Sequence, residues 1–290
     1  MRAALSRLLW PGLVALCIGG YWLGQRAGHP VLGFNLTYFG LLAALLLLER
    51  AMPYEAAWTR SDGQVGNDIG HTLLNKGIGQ ALAASAAMLG VQQAGPVEAS
   101  GLWPSGWPMA AQVALALAIG EFGLYWAHRL AHETPFLWRF HAVHHSVTRL
   151  WVVNTGRFHV VDSLWKTGCA LTLALIVGAP KEIILWVLAV TTYVGFLTHC
   201  NVDMRCGWLN YIVNTPELHR WHHSRDVEEG NRNYGENLVL WDWLFGTRYL
   251  PDRRPPANIG CDDPMPRSFL GQLAYPFRRP ATPPSPAAAE

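Results

Sequence analysis

The sequence has few charged residues. Only 14% of its 290 residues are Asp, Glu, Lys or Arg, against roughly 25% in a typical soluble domain, whereas 51% are hydrophobic. The net charge of +2 is near zero and does not suggest a nucleic-acid partner. The composition argues against an ordinary soluble domain and indicates a multi-pass membrane protein. The 14 tryptophans agree, because tryptophan is enriched at membrane interfaces.

Several common motifs are also missing. The five cysteines include no CxxC pair, so we interpret them as reduced packing residues. There is no glycine-rich nucleotide fingerprint and no fused haem domain, so any electrons would have to come from an external donor. A metalloprotease would need HExxH, but Thr-Pro-Phe follows His132-Glu133. The sequence therefore argues against that class of enzyme.

Histidine, in contrast, is concentrated in three short boxes. The first is HxxxH and the other two are HxxHH, and they contain His128, His132, His141, His144, His145, His219, His222 and His223. Residues three and four apart share a face of a helix. Eight imidazoles are too many for one zinc ion, which takes four ligands in structural sites. The spacing predicts two metal ions, without selecting the metal, because imidazole suits iron, zinc, copper and nickel.

Long apolar runs predict an all-α protein with four to six membrane helices, at residues 5–24, 31–48, 67–90, 109–132, 164–177 and 183–197. The last two runs are joined by Gly-Ala-Pro-Lys-Glu and predict a helical hairpin whose arms are short for a span. We expect an interfacial loop at 94–108. In the fourth helix, Glu121, Tyr125, His128 and His132 fall on one stripe. In the third, Asp68, His71 and Asn75 form a polar stripe, which is costly in a membrane unless it faces partners.

The distribution of basic residues predicts the orientation. With the N-terminus inside, only Arg26 and Lys181 of the 22 basic residues fall in outer loops. The positive-inside rule then places every histidine box in a cap on the cytoplasmic side. We divide the chain into N-terminal membrane helices (1–66), a catalytic domain (67–250), and a proline-rich surface strap with a disordered tip (251–290).

Further polar residues are candidates for the metal site. His199 ends the hairpin's second arm, and His159 follows the second box, so we include both as candidate ligands. His71 is a candidate for supporting the ligands, whereas His29 falls outside. Acidic groups commonly orient ligand imidazoles. The candidates for that role are Glu133, Asp162, Asp203 and Glu217.

The order and content of the boxes resemble the fatty acid hydroxylase/sterol desaturase superfamily. The resemblance covers roughly residues 67–250 and extends to three segments: Thr215-Pro-Glu-Leu-His-Arg-Trp-His-His-Ser224, Asn233-Tyr-Gly-Glu-Asn-Leu238 and Trp241-Asp-Trp-Leu-Phe-Gly-Thr247. The segment from His128 to Glu133 also resembles the alkylglycerol monooxygenase branch, in which a glutamate follows the second histidine.

The resemblance implies a non-haem site with two iron ions, O2 as co-substrate and a lipid C–H bond as target. The electron donor would be a ferredoxin, a b-type cytochrome or, for the alkylglycerol branch, a reduced pterin. Glu133 and Tyr125 are the candidate catalytic side chains. Hydroxylation and desaturation both remain open, and so does the lipid.

A different class of protein also uses membrane histidines, namely metal transporters and sensors. A transporter should place its ligands near the middle of the bilayer. The boxes here fall in segments outside the apolar runs, which favours the oxygen-dependent enzyme over this alternative.

Overall fold

A computed structural model describes residues 2–79, residue 85 and residues 103–278. The described chain is all-helical, as predicted. It contains no β-strand, and its few β contacts are isolated bridges such as that between Pro53 and Val202. The helices are α1 (Arg2–Arg26), α2 (Pro30–Ala51), α3 (Val65–Thr72), α4 (Met109–Glu133), α5 (Pro135–His145), α6 (Val160–Ile176), α7 (Lys181–His199), α8 (Pro216–His222), α9 (Val227–Gly230), α10 (Leu240–Leu244) and α11 (Phe269–Arg278).

In the described part of the chain, four helices are long and apolar enough to cross a bilayer, namely α1, α2, α4 and α7. α6 has 17 residues, so it is about 26 Å long at a rise of 1.5 Å per residue. That is shorter than the roughly 30 Å hydrocarbon core of a bilayer. The count agrees with the lower end of the predicted four to six membrane helices.

The N-terminal helices α1 and α2 form a tight hairpin. Pro30 begins α2 at a position where proline's missing N–H costs nothing. Gly24 and Gly33 let the backbones approach closely, because a Cβ atom on Gly24 would lie 2.6 Å from the Cα atom of Gly33. The hairpin packs on α7, where Thr37 and Tyr193 share a hydrogen bond of 2.6 Å.

α3 carries the predicted polar stripe, but the predicted helix is described only in part. The α-helix ends at Thr72 and continues as a π-helix over Leu73–Gly79. The rest of the predicted helix, to Gly90, lies outside the described residues apart from residue 85, as does the predicted loop before Trp103. The stripe is buried: Asp68 accepts a 2.7 Å hydrogen bond from Arg157, and Asn75 donates to the His71 carbonyl.

α4 and α5 follow each other directly, with only Thr134 between them. Pro135 restricts Thr134 to an extended conformation, so α4 ends at Glu133 and α5 begins at once. α4 packs against α6 at Gly123, where a Cβ atom would lie only 2.5 Å from the Cys169 carbonyl oxygen. This close contact brings the first histidine box of α4 next to the start of α6.

The α6–α7 hairpin confirms the predicted pair of arms. Its turn has Gly178 at a φ of 80°, a conformation that glycine adopts without strain. α7 packs on the N-terminal hairpin through one apolar core and on α4 and α6 through another. α7 therefore lies between the N-terminal hairpin and the α4–α6 pair.

The C-terminal strap differs from the prediction in one respect. It is irregular from Pro251 onward, but it ends in the helix α11, which the proline-rich sequence did not predict. α11 packs on α3, since Gln272 contacts the His71 ring at 3.0 Å. The predicted disordered tip beyond Arg278 lies outside the described residues. All five cysteines are free, as predicted.

Candidate metal centre

Nine histidines come together in two compact groups. The first histidine group contains His128, His132, His141, His145 and His222, and the second contains His144, His199, His219 and His223. Within each group one nitrogen from every ring lies within 4.8 Å of the others, and all nine residues are buried. The groups are adjacent, because the rings of His145 and His223 stack at 4.5 Å. Each group can hold one cation.

The helices divide the boxes between the two groups. The first box, on α4, lies wholly in the first group. The second box, on α5, is split, because His141 and His145 turn towards the first group and His144 towards the second. The third box is split in the opposite way, because His222 lies in the first group and His219 and His223 lie in the second. His199 at the end of α7 completes the second group. Each group therefore draws on helices that are far apart in the sequence.

Facing nitrogen atoms show that these clusters suit a cation. His219 Nε2 lies 2.8 Å from His199 Nε2, and His145 Nε2 lies 3.1 Å from His222 Nε2. The Nε2 of His132 is buried and has no hydrogen-bond partner. Buried polar atoms are normally paired. Imidazole nitrogens that converge in this way fit metal ligands.

The outer nitrogens of the rings are held by oxygen acceptors. Backbone carbonyls face the Nδ1 atoms of His128, His144 and His222, at 2.8–3.2 Å. Side-chain oxygens of Asn231, Asp162 and Asn154 face those of His132, His141 and His199, at 2.9, 3.0 and 3.3 Å. An acceptor at Nδ1 keeps the proton there and leaves the Nε2 lone pair for a metal.

Burial keeps the imidazoles neutral. It is the main cause that lowers the pKa of His141, His144, His145, His219 and His223 well below the ordinary value, and that of His222 to about 3. The positive charge of Lys166 and the neighbouring imidazoles lower the pKa values of His141 and His144 further. Metal binding requires neutral imidazole, so these rings are in the form that can bind a metal near neutral pH.

His159 lies apart from both groups. Its Nδ1 accepts a hydrogen bond from the Val161 backbone N–H at the start of α6, and its Nε2 lies 3.1 Å from the Leu273 carbonyl. Both ring nitrogens therefore have partners outside the groups. The structure places this candidate ligand as the N-terminal cap of α6, next to α11.

The two candidate catalytic side chains also have partners elsewhere. Glu133 accepts a 2.7 Å hydrogen bond from Arg129 and is partly exposed. The Tyr125 hydroxyl lies 2.9 Å from the Thr247 hydroxyl and also accepts from Arg129. Neither side chain contacts a histidine group directly. Tyr125 lies nearest, through an edge contact with Tyr234, whose ring packs on His128 and His132.

Of the four acids expected to orient ligand rings, one contacts a ligand. Asp162 accepts from His141, as described above. Asp203 pairs with Arg2 at 3.8 Å, and Glu217 accepts from the Cys206 backbone and the Asn210 side chain. His71 acts one step further out, because it contacts the carbonyl of Phe158, whose ring stacks on His144 at 4.0 Å.

Two cavities reach the histidine groups, and a third adjoins one of these two. The outer cavity is lined by His132, His145 and His222 together with the strap around residues 260–264. The inner cavity is lined by His128, His144, His199 and His219. The apolar cavity lies between α4, α6 and α7 and adjoins the inner cavity. A long apolar molecule can therefore approach both histidine groups from between the helices.

Several residues at the centre were not identified from the sequence. Asn154, Asn231 and Tyr234 orient ligand rings, and Lys166 and Glu236 line the inner cavity. One signal was available for Lys166, since a lone cation in an apolar helix generally has a functional partner. Glu236 lies in the segment Asn233–Leu238, which carries part of the family resemblance.

Comparison with known proteins agrees with this geometry. Residues 113–247 match the sequence model of the fatty acid hydroxylase family. An ornithine lipid hydroxylase of Rhizobium tropici is 51% identical over 284 residues, covering 96% of this chain and 86% of that protein. Human alkylglycerol monooxygenase is 34% identical over 127 residues, which cover 44% of this chain and 28% of the human protein.

The similarity extends to a plant enzyme. Methylsterol monooxygenase 2-2 of Arabidopsis thaliana is 26% identical over 147 residues, covering 50% of this chain and 54% of that protein. No solved structure matches the chain significantly. The match with the Rhizobium hydroxylase over nearly the whole chain, together with the family match across all three histidine boxes, shows that this protein belongs to the fatty acid hydroxylase family.

Proposed function

We propose that the protein hydroxylates a lipid C–H bond with O2, using two iron ions held by the two histidine groups. The observation that carries the proposal is the division of nine buried imidazoles into two adjacent groups beside an apolar cavity. The relatives named above are hydroxylases and monooxygenases, in agreement with this chemistry. The Rhizobium relative makes ornithine lipid the first substrate to test.

The proposed reaction consumes one O2, two electrons and two protons for each C–H bond. One oxygen atom enters the lipid as a hydroxyl group, and the other leaves as water. An external ferredoxin, b-type cytochrome or reduced pterin supplies the electrons. Bound iron would supply the redox chemistry that activates O2 and oxidises the C–H bond.

The chain's own residues prepare the site for this reaction. Asp162, Asn231 and the backbone carbonyls hold the imidazoles in one tautomer and orientation. The Phe158 ring stacks on His144 and lines both the apolar cavity and the inner cavity. Apolar side chains from α4, α6 and α7 line the path of the lipid and exclude water from the reacting carbon.

We also propose that the metal centre faces the cytoplasm. The bias of basic residues supports this orientation. In this orientation a lipid enters sideways from the bilayer, while the electron donor approaches from the water.

The test combines isotope labelling with metal analysis. Purified protein with ornithine lipid, a reductant and 18O2 should yield a lipid carrying one 18O atom, and elemental analysis should give two iron ions per chain. His145→Ala and His223→Ala remove one ligand from each group. Both variants should insert normally, bind less iron and form no product. His29→Ala, in the exposed turn between α1 and α2, is the matched control.

Three results would contradict the proposal. They are a single metal ion per chain at full occupancy, turnover without O2, and a product with neither 18O nor a new double bond. A new double bond without 18O would assign the same site to desaturation. His159→Asn should retain two iron ions, because His159 lies outside both groups; loss of one ion would return His159 to the ligand set.

A further inference from the structure

A further cavity lies away from the histidine groups, at the start of α1. Its walls come from four parts of the chain, namely residues 2–11, 53–55, 203–217 and 253–255. No residue that lines it also lines the outer, inner or apolar cavity. The cavity is therefore separate from the openings that lead to the histidines, and the proposed reaction does not use it.

Arginine dominates the charged part of this cavity. Only two acids line it, against five arginines, which are Arg2, Arg7, Arg205, Arg253 and Arg254. All five arginines are exposed, so a ligand in the cavity can reach their side chains. The excess of positive charge indicates an anionic ligand.

Two of these arginines have no acidic partner. The other three form the pairs Arg2–Asp203, Arg253–Glu229 and Arg254–Glu55. Within the described residues, the side chains of Arg7 and Arg205 make no hydrogen bond and no ion pair. The backbone N–H of Arg205 donates to the Ser6 carbonyl at 2.9 Å, which joins the segment of Arg205 to α1 next to Arg7. Two free guanidinium groups are thus available in one cavity.

The remaining wall of the cavity is apolar. It contains Leu8 and Pro11 of α1, together with Trp208 and Leu209. At 1.5 Å per residue, Leu8 lies about 9 Å and Pro11 about 13 Å beyond Arg2 along the helix. α1 is apolar enough to cross a bilayer, and Trp208 is 69% exposed, as is common for tryptophan at a membrane interface. The cavity therefore extends from the charged end of α1 into its apolar part.

We propose that this cavity, here called the arginine cavity, binds one anionic phospholipid from the surrounding bilayer. The phosphate lies between Arg7 and Arg205, since guanidinium groups match phosphate oxygens in both charge and geometry. The first part of an acyl chain lies along Leu8 and Pro11. The phospholipid is a bound ligand and not a substrate, because the arginine cavity shares no wall with the cavities at the histidines.

The apolar wall favours a lipid over other anions. A soluble phosphate would meet the arginines but would leave Leu8 and Pro11 without a partner. An acidic protein, such as an electron donor, could approach the arginines from the water but could not reach side chains inside the bilayer. An amphiphile contacts both parts of the cavity.

The bound lipid should stabilise the fold, because the arginine cavity lies against α8. The Arg253 guanidinium lies 4.3 Å from the centre of the Trp221 ring. The Tyr54 ring lies between two other arginines, at 3.7 Å from Arg220 and 4.5 Å from Arg254. Arg220 and Trp221 belong to α8, which carries the third histidine box. A ligand that binds only the folded chain raises its stability, so occupancy should raise the unfolding temperature.

The experiment measures binding of defined lipids without turnover. Full-length protein is delipidated in a neutral detergent and titrated with phosphatidylglycerol or with phosphatidylcholine of the same acyl chains. Native mass spectrometry counts the bound lipid. One phosphatidylglycerol per chain should bind at least about tenfold more tightly than phosphatidylcholine, as expected for hydrogen bonds between charged groups. Glycerol 3-phosphate, which has no acyl chain, should not bind at the same concentrations.

Variants then test the residues. Arg7→Gln combined with Arg205→Gln should lower the affinity for phosphatidylglycerol about tenfold and leave that for phosphatidylcholine unchanged. The matched double Lys variant keeps the charge and should keep most of the preference. Trp208→Ala should weaken both lipids equally. Arg50→Gln combined with Arg60→Gln is the control, because it removes two exposed charges at the same end of the α1–α2 hairpin but outside the cavity.

Four results would overturn the proposal. They are equal affinities of the parent for the two lipids, unchanged preference in the double Gln variant, equal loss of preference in the control, and binding of glycerol 3-phosphate as tight as that of the lipid. The last result would assign the arginines to a soluble phosphate. Unchanged lipid preference in the double Gln variant with weaker binding of the electron donor would assign them to an acidic protein. None of these measurements depends on the proposed function, because none requires turnover.

Discussion

At the scale of the residue, the site depends on the hydrogen-bond partner of each imidazole's outer nitrogen. Six of the nine histidines in the two groups present Nδ1 to an oxygen acceptor, and these acceptors come from segments with no histidine box of their own, such as Asn154, Asn231 and Asp162. An acceptor behind the ring fixes its tautomer before a metal arrives. The affinity for metal should therefore be sensitive to residues that never touch it.

Asp162 gives the sharpest test of this idea. Asp162→Asn replaces a charged acceptor of His141 with a neutral amide and should weaken iron(II) binding by about 10–100-fold. Anaerobic chelator competition measures the affinity. Asp203→Asn alters an acid whose partner is Arg2, at 3.8 Å, and should leave the affinity unchanged. Equal affinities for all three proteins would show that the carboxylate does not support the ligand.

A second prediction at this scale concerns pH. Burial lowers the pKa of His71 from 6.5 to about 4, although the acceptor oxygens of Gln272 and Phe158 favour the charged ring. Between these values the unfolded chain binds a proton that the folded chain does not. The stability due to His71 is therefore present above about pH 6.5 and is lost as pH falls towards 4, by about 3 kcal/mol in total.

The measurement is chemical unfolding in mixed micelles at pH 4.5, 5.5 and 7. His71→Asn is expected to be less stable than the parent at pH 7. Its unfolding free energy should depend less steeply on pH, because up to one proton fewer is taken up on unfolding. Parallel pH dependences for the two proteins would show that the His71 ring becomes protonated in the folded state.

At the scale of the element, the helix itself separates the two groups. Successive residues on a helix point about 100° apart, because a turn takes 3.6 residues. His144 and His145 are neighbours on α5 and reach different groups for this reason. One HxxHH box can therefore serve two ions, and two such boxes on facing helices build two adjacent sites.

The contact between α4 and α6 should not tolerate a side chain at Gly123. Gly123→Ala places a Cβ atom 2.5 Å from the Cys169 carbonyl oxygen, so the helices must move apart. We expect a loss of about 1–3 kcal/mol in unfolding free energy, together with weaker iron binding, because the first box and Asp162 lie on these two helices. Thermal unfolding in detergent and iron content measure the two effects.

Gly168→Ala is the control on the same pair of helices. No atom lies within 4 Å of the added Cβ atom, so the change should be neutral or stabilising by about 0.5–1 kcal/mol. Equal losses in the two variants would show that the α4–α6 approach is not tight at Gly123.

At the scale of the whole molecule, the packing of the helices gives the histidine groups two separate openings. The apolar cavity leads towards the histidines between α4, α6 and α7, whereas the outer cavity opens beside the strap at residues 260–264. α11 and the strap close over α3 and α5 through Gln272, Tyr275 and Asp263. In the proposed reaction, the two approaches would allow lipid and electron donor to act without competing for the same opening.

The proposed orientation predicts which sites are exposed on each side of the membrane. In intact spheroplasts, a membrane-impermeant maleimide should label His29→Cys in the turn between α1 and α2. It should label Glu228→Cys, an exposed residue on α9, only after lysis. The parent, whose cysteines are buried or half-buried, controls for background. Labelling of Glu228→Cys in intact spheroplasts would reverse the orientation.

The sequence alone determined the helical membrane architecture, the α6–α7 hairpin, the stripe on α4 and the family. These properties follow from local patterns. The length of an apolar run predicts a membrane helix, and residues three or four positions apart are predicted to share a face of a helix. The repeated boxes predict eight histidines of the site from the sequence alone. The position of His199 at the end of the hairpin makes it a further candidate.

Only the tertiary structure decided how those histidines divide, because a group of ligands combines helices far apart in the chain. It placed His159 outside both histidine groups, gave Glu133 and Tyr125 other partners, and ended the strap in α11. It also brought Lys166 and Glu236 together, although 70 residues separate them. Spacing along one helix fixes which side chains share a face, but what that face meets depends on the packing of the other helices.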